Sequence, residues 1–309
     1  MPLFAKVDVL WSRGAYAHCD RSGPFYNRFL GTEHVLEPEA FARHYGGASG
    51  LVWVRLNTVA RDGRPCGVDR FVADALPTIR EPFVLITTDG DATVPSDIPA
   101  ATVEALLNSE HLVAWYTQNH DGTAHPKLFP FPIGLDLHSI RGAPFTPAQR
   151  VAYLSRVRDR RVEADRLPLR VFTDLSVNAN SGERRAIRET LYGVEHVDFL
   201  AERLSIRGIW RKYASYPFVL STHGYGLDCH RTWEVLYLGG IVVTKRSSLD
   251  PLYRDLPVVI VDDWSEVASL DNLARWRDRY APLTRREHVW DRLSSSRLYR
   301  EMRAKLPPR

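Results

Sequence analysis

The sequence has three cysteines, Cys19, Cys66 and Cys229, an odd number set far apart. No CxxC or Cys/His ladder accompanies them, which excludes a zinc scaffold and a disulfide-stapled secreted domain. Free thiols in a reducing compartment are the expectation. No HxH or HExxH spacing is present, so no metal site is expected. No stretch approaches the ~20 apolar residues of a membrane span. The opening MPLFAKVDVLWSRG has an apolar stretch too short for a secretory signal and no small-residue cleavage pattern. These absences predict a cytoplasmic protein, with peripheral contact at the anionic inner face of a membrane as its remaining membrane role. Neither sign of charge dominates: Lys+Arg 41 against Asp+Glu 37 gives +4, a weak bias towards anionic ligands.

What is there is an ordinary folded composition, 44% hydrophobic, 25% charged and 11% aromatic, which excludes a disordered or collagen-like chain. At 309 residues the chain is about twice the common domain size of ~150, so two cores are expected. Short apolar runs alternate with helical stretches, the order in which each strand is followed by a covering helix. The predicted strands of the first half are Val7–Trp11, Leu51–Leu56, Phe83–Thr87, Leu112–Tyr116 and Leu128–Ile133, with helices over Asp69–Leu76 and Ala100–Leu107. Gly142, Pro144 and Pro147 then break the chain before an arginine-dense helix (Arg150, Arg156, Arg158, Arg160, Arg161).

The alternation resumes with strands at Arg170–Phe172, Val197–Leu200, Phe218–Ser221, Ile241–Thr244 and Val258–Val261. Helices at Arg184–Leu191, Ile206–Tyr213 and His230–Leu238 separate them. Thr284-Arg285-Arg286-Glu287 spells a capping box opening one last helix, striped by Val289, Leu293, Leu298, Met302 and Leu306. The fold class this predicts is α/β, two Rossmann-like doubly wound domains facing a cleft. Their spans are residues 1–145 and 146–309, with the last helix able to pack back on the first.

The most informative run is FVLSTHGYGLDCHRTWEVLYLGGIVVTK, Phe218 to Lys245, where a buried strand enters a glycine-containing turn and then a helix. Backbone approach to a phosphate needs such glycines, and the N-terminus of a helix offers N–H groups and a favourable dipole. The turn His223-Gly224-Tyr225-Gly226 is therefore a candidate diphosphate site. On the helix, His230 and Glu234 share a face. Arg231 can clamp phosphate, and Glu234 can accept from ribose hydroxyls. A tight turn, a helix salt bridge and a histidine at the helix end account for the same residues without a ligand.

The run resembles the C-terminal region of exostosin-like glycosyltransferases. In that family a Gly-rich turn, an arginine, a glutamate in R-x-W-E and a G-G/C-I-x-V strand occur in this order. Here they are Gly224, Gly226, Arg231-Thr232-Trp233-Glu234 and Gly239-Gly240-Ile241-Val242-Val243, followed by Leu256-Pro257-Val258-Val259-Ile260-Val261-Asp262-Asp263-Trp264. The match covers a quarter to a third of the chain and is weaker over Asn119 to His138. It implies a GT-B fold, with the sugar nucleotide on the C-terminal domain and the acceptor mainly on the N-terminal one. Arg231 becomes the phosphate contact and Glu234 the ribose contact. The resemblance points to inverting transfer from a UDP-sugar to a carbohydrate or lipid-linked acceptor in surface polysaccharide assembly, with no further cofactor. The animal acceptors are in doubt, because no membrane anchor or lumenal disulfide framework is visible.

Transfer needs a base for the acceptor hydroxyl and a cationic cradle for the leaving diphosphate. Arg184, Arg185 and Lys212 are the further cradle candidates. For the base, polar clusters in the first half offer Asp89, Asp91, His120, Asp121, Asp136 and His138, which the sequence does not rank. Asp89 and Asp91 follow the apolar run PFVLITT, the strand edge where α/β sites form, although an Asx turn explains them equally. Asp89-Gly90-Asp91 also spells the D-x-D of metal-dependent GT-A enzymes, a reading that leaves the Phe218–Lys245 run without a role. Two rival functions remain at this stage, polyanion or nucleic-acid binding through the arginine helix and a non-catalytic sugar-nucleotide module.

Overall fold

The computed structural model describes residues 8–22, 38–56, 67–138, 146–175 and 182–308, with the backbone alone at 38–40. Val7, Cys66, Gly142 and Pro144 lie outside these residues. The chain forms two compact units: residues 1–139 with 225–228 and 293–309, and residues 140–224 with 229–292.

The first unit carries β1 (Arg21–Ser22), β2 (Gly50–Arg55), β3 (Phe83–Thr88), β4 (Leu112–Thr117) and β5 (Leu128–Pro130). With them are α1 (Pro38–Tyr45), α2 (Gly67–Arg70) and α3 (Ala100–Leu107). The five strands form one parallel sheet in sequential order, β1-β2-β3-β4-β5. Both faces of β2 and β3 are buried. Val52, Val54, Phe83 and Leu85 enter one core cluster, while Leu51, Trp53, Val84 and Ile86 enter another. A strand buried on both faces reads as a continuous apolar run, so LVWV and FVLI are legible as strands.

Three expectations are corrected here. Asp8–Trp11 is not a strand; Trp11 makes isolated bridges to Gly134 and Leu135 while Val9, Leu10 and Trp11 are buried as core. The strand expected to reach Ile133 stops at Pro130, since proline has no N–H for the ladder. Helix α2 continues through a π-helical turn over Phe71–Ala75 and a short 3-10 turn instead of running as one α-helix.

The second unit begins with α4 (Pro147–Asp159), whose Thr146 and Gln149 form a capping box. Then come β6 (Val171–Thr173), α5 (Gly182–Leu191), β7 (Val197–Phe199), α6 (Ile206–Ala214), β8 (Phe218–Leu220), α7 (His230–Tyr237), β9 (Ile241–Lys245), β10 (Val258–Val261), α8 (Leu270–Tyr280) and α9 (Arg286–Arg292). The sheet is again parallel, in the order β10-β9-β8-β6-β7. Because β6 has the earlier β7 on one side and the later β8 on the other, connections leave in opposite directions between β6 and β8. Such a reversal opens a crevice at the C-terminal strand ends, where doubly wound sheets bind ligands. Both units are thus α/β with parallel sheets, as the alternation predicts.

The single terminal helix of the sequence reading is two. Helix α9 ends at Arg292 and α10 (Ser295–Arg303) starts afresh, its N-cap Ser294 accepting from the Arg297 N–H. Thr284 does not cap α9; its hydroxyl donates to the Ala281 carbonyl at 2.7 Å. The apolar stripe accordingly divides, with Val289 in the second unit and Leu298, Met302 and Leu306 in the cluster on the β2/β3 face of the first.

The arginine helix also differs from its polyanion-binding reading. Arg150, Arg158 and Arg161 of α4 and its end are buried. Arg158 donates to the Thr284 carbonyl at 3.0 Å and Arg161 to that of Tyr216 at 2.8 Å. Burial pushes the Arg161 guanidinium down to about 10, still charged at neutral pH. These side chains fasten helix and loop ends inside the unit.

Gly239 makes room for one of them. A Cβ there would lie 2.6 Å from Arg158 Nε, and the residue has φ +83°. Gly193, at φ +87°, has nothing within 4 Å of such a Cβ. Gly193→Ala is expected to cost backbone strain alone, about 1 kcal/mol. Gly239→Ala should cost at least about 2 kcal/mol more, because it also displaces a buried arginine. Urea midpoints of the two variants give the comparison, and equal losses would remove Arg158 from the account.

Candidate functional site

In the second unit the polar groups gather where β6 and β8 diverge. Asp174 follows β6 and Thr222 follows β8, both at C-terminal strand ends. Parallel pairing puts these ends on the same edge, beside the first turns of α5 and α7. Glu183, in the first turn of α5, accepts from the Thr222 hydroxyl and lies 3.8 Å from His223 Nε2. Arg184 donates twice to the His223 carbonyl, at 3.1 and 2.8 Å. This pins the turn at Gly224, where an added Cβ would meet Arg184 at 3.9 Å. Ser221 and Thr232 join hydroxyls at 2.8 Å, tying the strand end to α7.

On α7, Arg231 reaches back to Asp174 through Nε and lies 3.8 Å from Cys229 Sγ through Nη1. Asp174 also accepts from the Tyr213 hydroxyl at 2.8 Å, so one carboxylate holds the arginine and is itself held. Burial alone would lower the guanidinium; the adjacent Asp174 carboxylate outweighs it and keeps Arg231 charged. Glu234, buried one turn along α7, adds its charge to the forces that raise the Tyr213 phenol, after burial and Asp174. The N-cap of α7 is Cys229, which makes no side-chain capping bond. An arginine, a buried carboxylate and a helix N-terminus without a side-chain cap together suit a ligand bearing phosphate and vicinal hydroxyls.

The remaining residues of the turn and cradle have other surroundings. Residues 225–228 cluster with the first unit. There Gly226 packs on Asn119, whose side chain would lie 2.7 Å from an added Cβ. The Asp228 N–H donates to Asn119 Oδ1 at 2.8 Å, and Asp228 Oδ2 accepts from the Ile133 N–H at 2.7 Å. Packing therefore accounts for the second glycine of the motif. Tyr225 is 85% exposed, and His230 is half-buried at the first residue of α7. Lys212 is in the last turn of α6, which leads into the N-terminal end of β8. Its ammonium lies over the rings of Phe172 and Tyr216, at 5.6 and 5.2 Å. The structure does not bring Lys212 to the turn that follows the other end of β8.

In the first unit, Thr88, Asp89, Gln118, Asn119 and His120 are all buried at the C-terminal ends of β3 and β4. Asp89 and Asn119 take left-handed backbone, φ 65° and 54°. The Asp89 N–H donates to Gln118 Oε1 at 2.8 Å, and Asn119 Nδ2 donates to the Gly90 carbonyl at 3.1 Å. Asp89 Oδ2 receives Arg13 Nε at 2.9 Å and Arg55 Nε at 2.6 Å, while its Oδ1 is 3.8 Å from His138 Nε2. Burial raises this carboxyl; Arg55, His138 and Arg13 outweigh it and hold the group below the usual carboxylate range.

His120 accepts from the Gly122 N–H through Nδ1 at 3.0 Å, which leaves its proton on Nε2, and burial lowers its proton affinity. Asp136 accepts from the His138 N–H at 3.2 Å and is 3.5 Å from His138 Nδ1. Asp91 is exposed. Lys127 caps the end of α3, donating to the carbonyls of Leu107 and Ser109.

Arg13, Arg55, Asp174 and Glu183 are the site residues that the sequence reading leaves out. Three of the four have a local signal: Arg55 and Asp174 end or follow apolar runs, and Glu183 opens a helix.

No family model matches the sequence, and no curated protein matches it. Among solved structures the chain is similar to a UDP-forming α,α-trehalose-phosphate synthase from Burkholderia xenovorans, at 12% identity and TM-score 0.44, over 88% of this chain and 74% of that one. It is similar also to an α,α-trehalose 6-phosphate synthase from Burkholderia multivorans, at 12% identity and TM-score 0.45, over 88% and 72%. At these levels neither likeness assigns a role to any residue of the site. No helix among the described residues is long and apolar enough to cross a membrane.

Proposed function

We propose that the chain is a glycosyltransferase that moves a sugar from a nucleotide-diphosphate donor, with UDP favoured, to a carbohydrate or lipid-linked acceptor. The observation that supports this best is the seating of Arg231 and Glu234 on α7, at the edge where β6 and β8 diverge. The two residues that the exostosin resemblance assigns to phosphate and ribose stand at the sheet's natural ligand edge. Arg231 and the α7 dipole would neutralise the departing diphosphate, and Arg184 would shape the Gly224 turn through the His223 carbonyl.

For the proton of the acceptor hydroxyl we favour His138 with Asp136 as its carboxylate support. Asp89 is a poor base, because two guanidiniums stabilise its charged form. His120 carries its proton on the nitrogen that would have to accept one. The exostosin resemblance, the inverting outcome and a place in surface polysaccharide assembly belong to the same reading.

The same electrostatics bear on metal. A divalent cation at Asp89 would have to displace Arg13 and Arg55, so Asp89-Gly90-Asp91 is a poor D-x-D clamp. Sugar release from a UDP-sugar, measured with and without added glycan acceptors, should proceed undiminished in excess EDTA. Loss in EDTA with recovery on added manganese would overturn the metal-independent reading. Asp136→Asn and His138→Gln should each lower kcat by roughly a hundredfold while KM for the donor stays near its original value.

A further inference from the structure

The arginines of α4 that are not used inside the second unit lie on its surface. Arg156 is exposed on the helix, and Arg160, one turn further, is exposed at its C-terminal end. Helix α6 packs beside α4 and carries a second row. Leu204, just ahead of α6, is spaced with Arg207, Gly208 and Arg211 as one face of that helix. Tyr153 joins the two rows. Its ring has the Arg156 guanidinium at 5.9 Å and the Arg207 guanidinium at 5.2 Å, and it stacks on Trp210 at 6.2 Å. Arginines from both helices therefore border one another across an aromatic ring.

This face carries little negative charge. Arg156, Arg160 and Arg211 form no ion pair among the described residues. The acids at the end of α4, Asp159 and Glu163, pair with Arg286 and Arg158. Glu202, exposed ahead of α6, offsets one charge. An apolar group stands among the cations: Leu204 is 41% exposed. It lies over Gly208, where an added Cβ would come within 3.2 Å of it.

Cations beside an aromatic ring, with an exposed leucine among them, match an interface whose head groups are anionic and whose next layer is apolar. A nucleic acid would find no open ring on which to stack a base, since Trp210 and two guanidiniums flank Tyr153. We propose that the α4/α6 face docks on a bilayer carrying acidic phospholipids, with the guanidiniums at the head groups and Leu204 at the edge of the acyl layer. This peripheral contact of the second unit does not depend on the transferase reading, although a lipid-linked acceptor would lie in the same bilayer.

The experiment is flotation of the full chain with vesicles of phosphatidylcholine alone and of phosphatidylcholine mixed with phosphatidylglycerol, over a series of salt concentrations. The chain should float with the acidic vesicles at low salt, be released as salt rises, and ignore the neutral ones. Arg156→Gln/Arg211→Gln should lower partitioning roughly twentyfold, at roughly fivefold for each arginine. Arg254→Gln/Arg300→Gln removes two exposed arginines elsewhere and gives the same net charge, and should change partitioning by less than about twofold. Leu204→Ser should lower it several-fold with every charge kept. All five side chains are exposed, so each variant should unfold in urea with the wild-type midpoint. The proposal is overturned by absence of flotation with acidic vesicles, by equal losses in the two arginine pairs, or by undiminished binding of Leu204→Ser. It is overturned equally by a duplex oligonucleotide that stays bound at the salt concentration releasing the vesicles.

Discussion

Asp89→Asn should lower the stability of the first unit by about 3–5 kcal/mol, the usual cost of removing one partner from a buried charge pair. The substitution keeps the shape of the side chain and removes its charge. Arg13 and Arg55 would then face each other across a neutral amide, in a region where burial leaves little water to screen them. The Asp89 N–H bond to Gln118 does not depend on that charge, so the loss isolates the ion cluster. Acid should act in the same way on the native protein. The folded-state carboxyl is held below its ordinary value, so its contribution is complete above the ordinary carboxylate range and disappears as pH falls through the depressed value. Urea denaturation of the two proteins at pH 7, and at a series of pH values from 4 downwards, supplies the comparison. A loss under about 1 kcal/mol at pH 7 would mean that the cluster is held by something other than this charge.

Arg231→Lys should reduce kcat/KM for the UDP-sugar by roughly 10²–10³, although the charge is conserved. The guanidinium reaches Asp174 with Nε, and Asp174 is fixed in turn by the Tyr213 hydroxyl. That chain fixes the direction of the remaining N–H groups, which would meet diphosphate oxygens as a fork. A lysine ammonium can pair with Asp174 or reach the phosphate, but does not present two parallel donors while doing the first. The loss should fall mainly on kcat, because charge grows on the leaving group in the transition state. Equal kcat/KM in the two proteins would take Arg231 away from the leaving group.

The architecture was legible wherever both faces of a strand are buried. LVWV, FVLI, PFVL, GIVV and VVIV are continuous apolar runs for that reason, and each became a strand. β1 was not legible, being two residues, Arg and Ser, that pair through backbone alone. Asp8–Trp11 failed in the opposite way, since an apolar run can be core without a ladder. Ser294 announced the break before α10, as serine before a helical stretch does, but the apolar stripe continued across it and masked the signal.

For the site, local motifs placed Arg231 and Glu234 on one helix and Asp89 at a strand end. Their partners are a property of the tertiary fold: Arg13 is 76 residues from Asp89, and Asp174 is 57 from Arg231. The Gly-rich motif proved mixed in physical origin. Gly224 lies by the pinned turn, whereas Gly226 and Gly239 are glycine because Asn119 and Arg158 occupy the space of a side chain. Composition alone could not tell these apart.

Binding of UDP to the second unit tests the central claim most directly. Calorimetry and thermal unfolding of the wild type should both report it, with stabilisation of about 2.7 kcal/mol at a ligand concentration one hundred times Kd. Glu234 is buried, so Glu234→Gln is the variant of choice; it keeps the volume and removes the charged acceptor for ribose. It should weaken UDP binding by about 1.5–3 kcal/mol, read by calorimetry on the variant folded at the assay temperature. Arg231→Lys should weaken it as well. A wild-type protein that neither UDP nor another nucleoside diphosphate stabilises, or a Glu234→Gln protein that binds UDP as tightly as the wild type, would contradict the account.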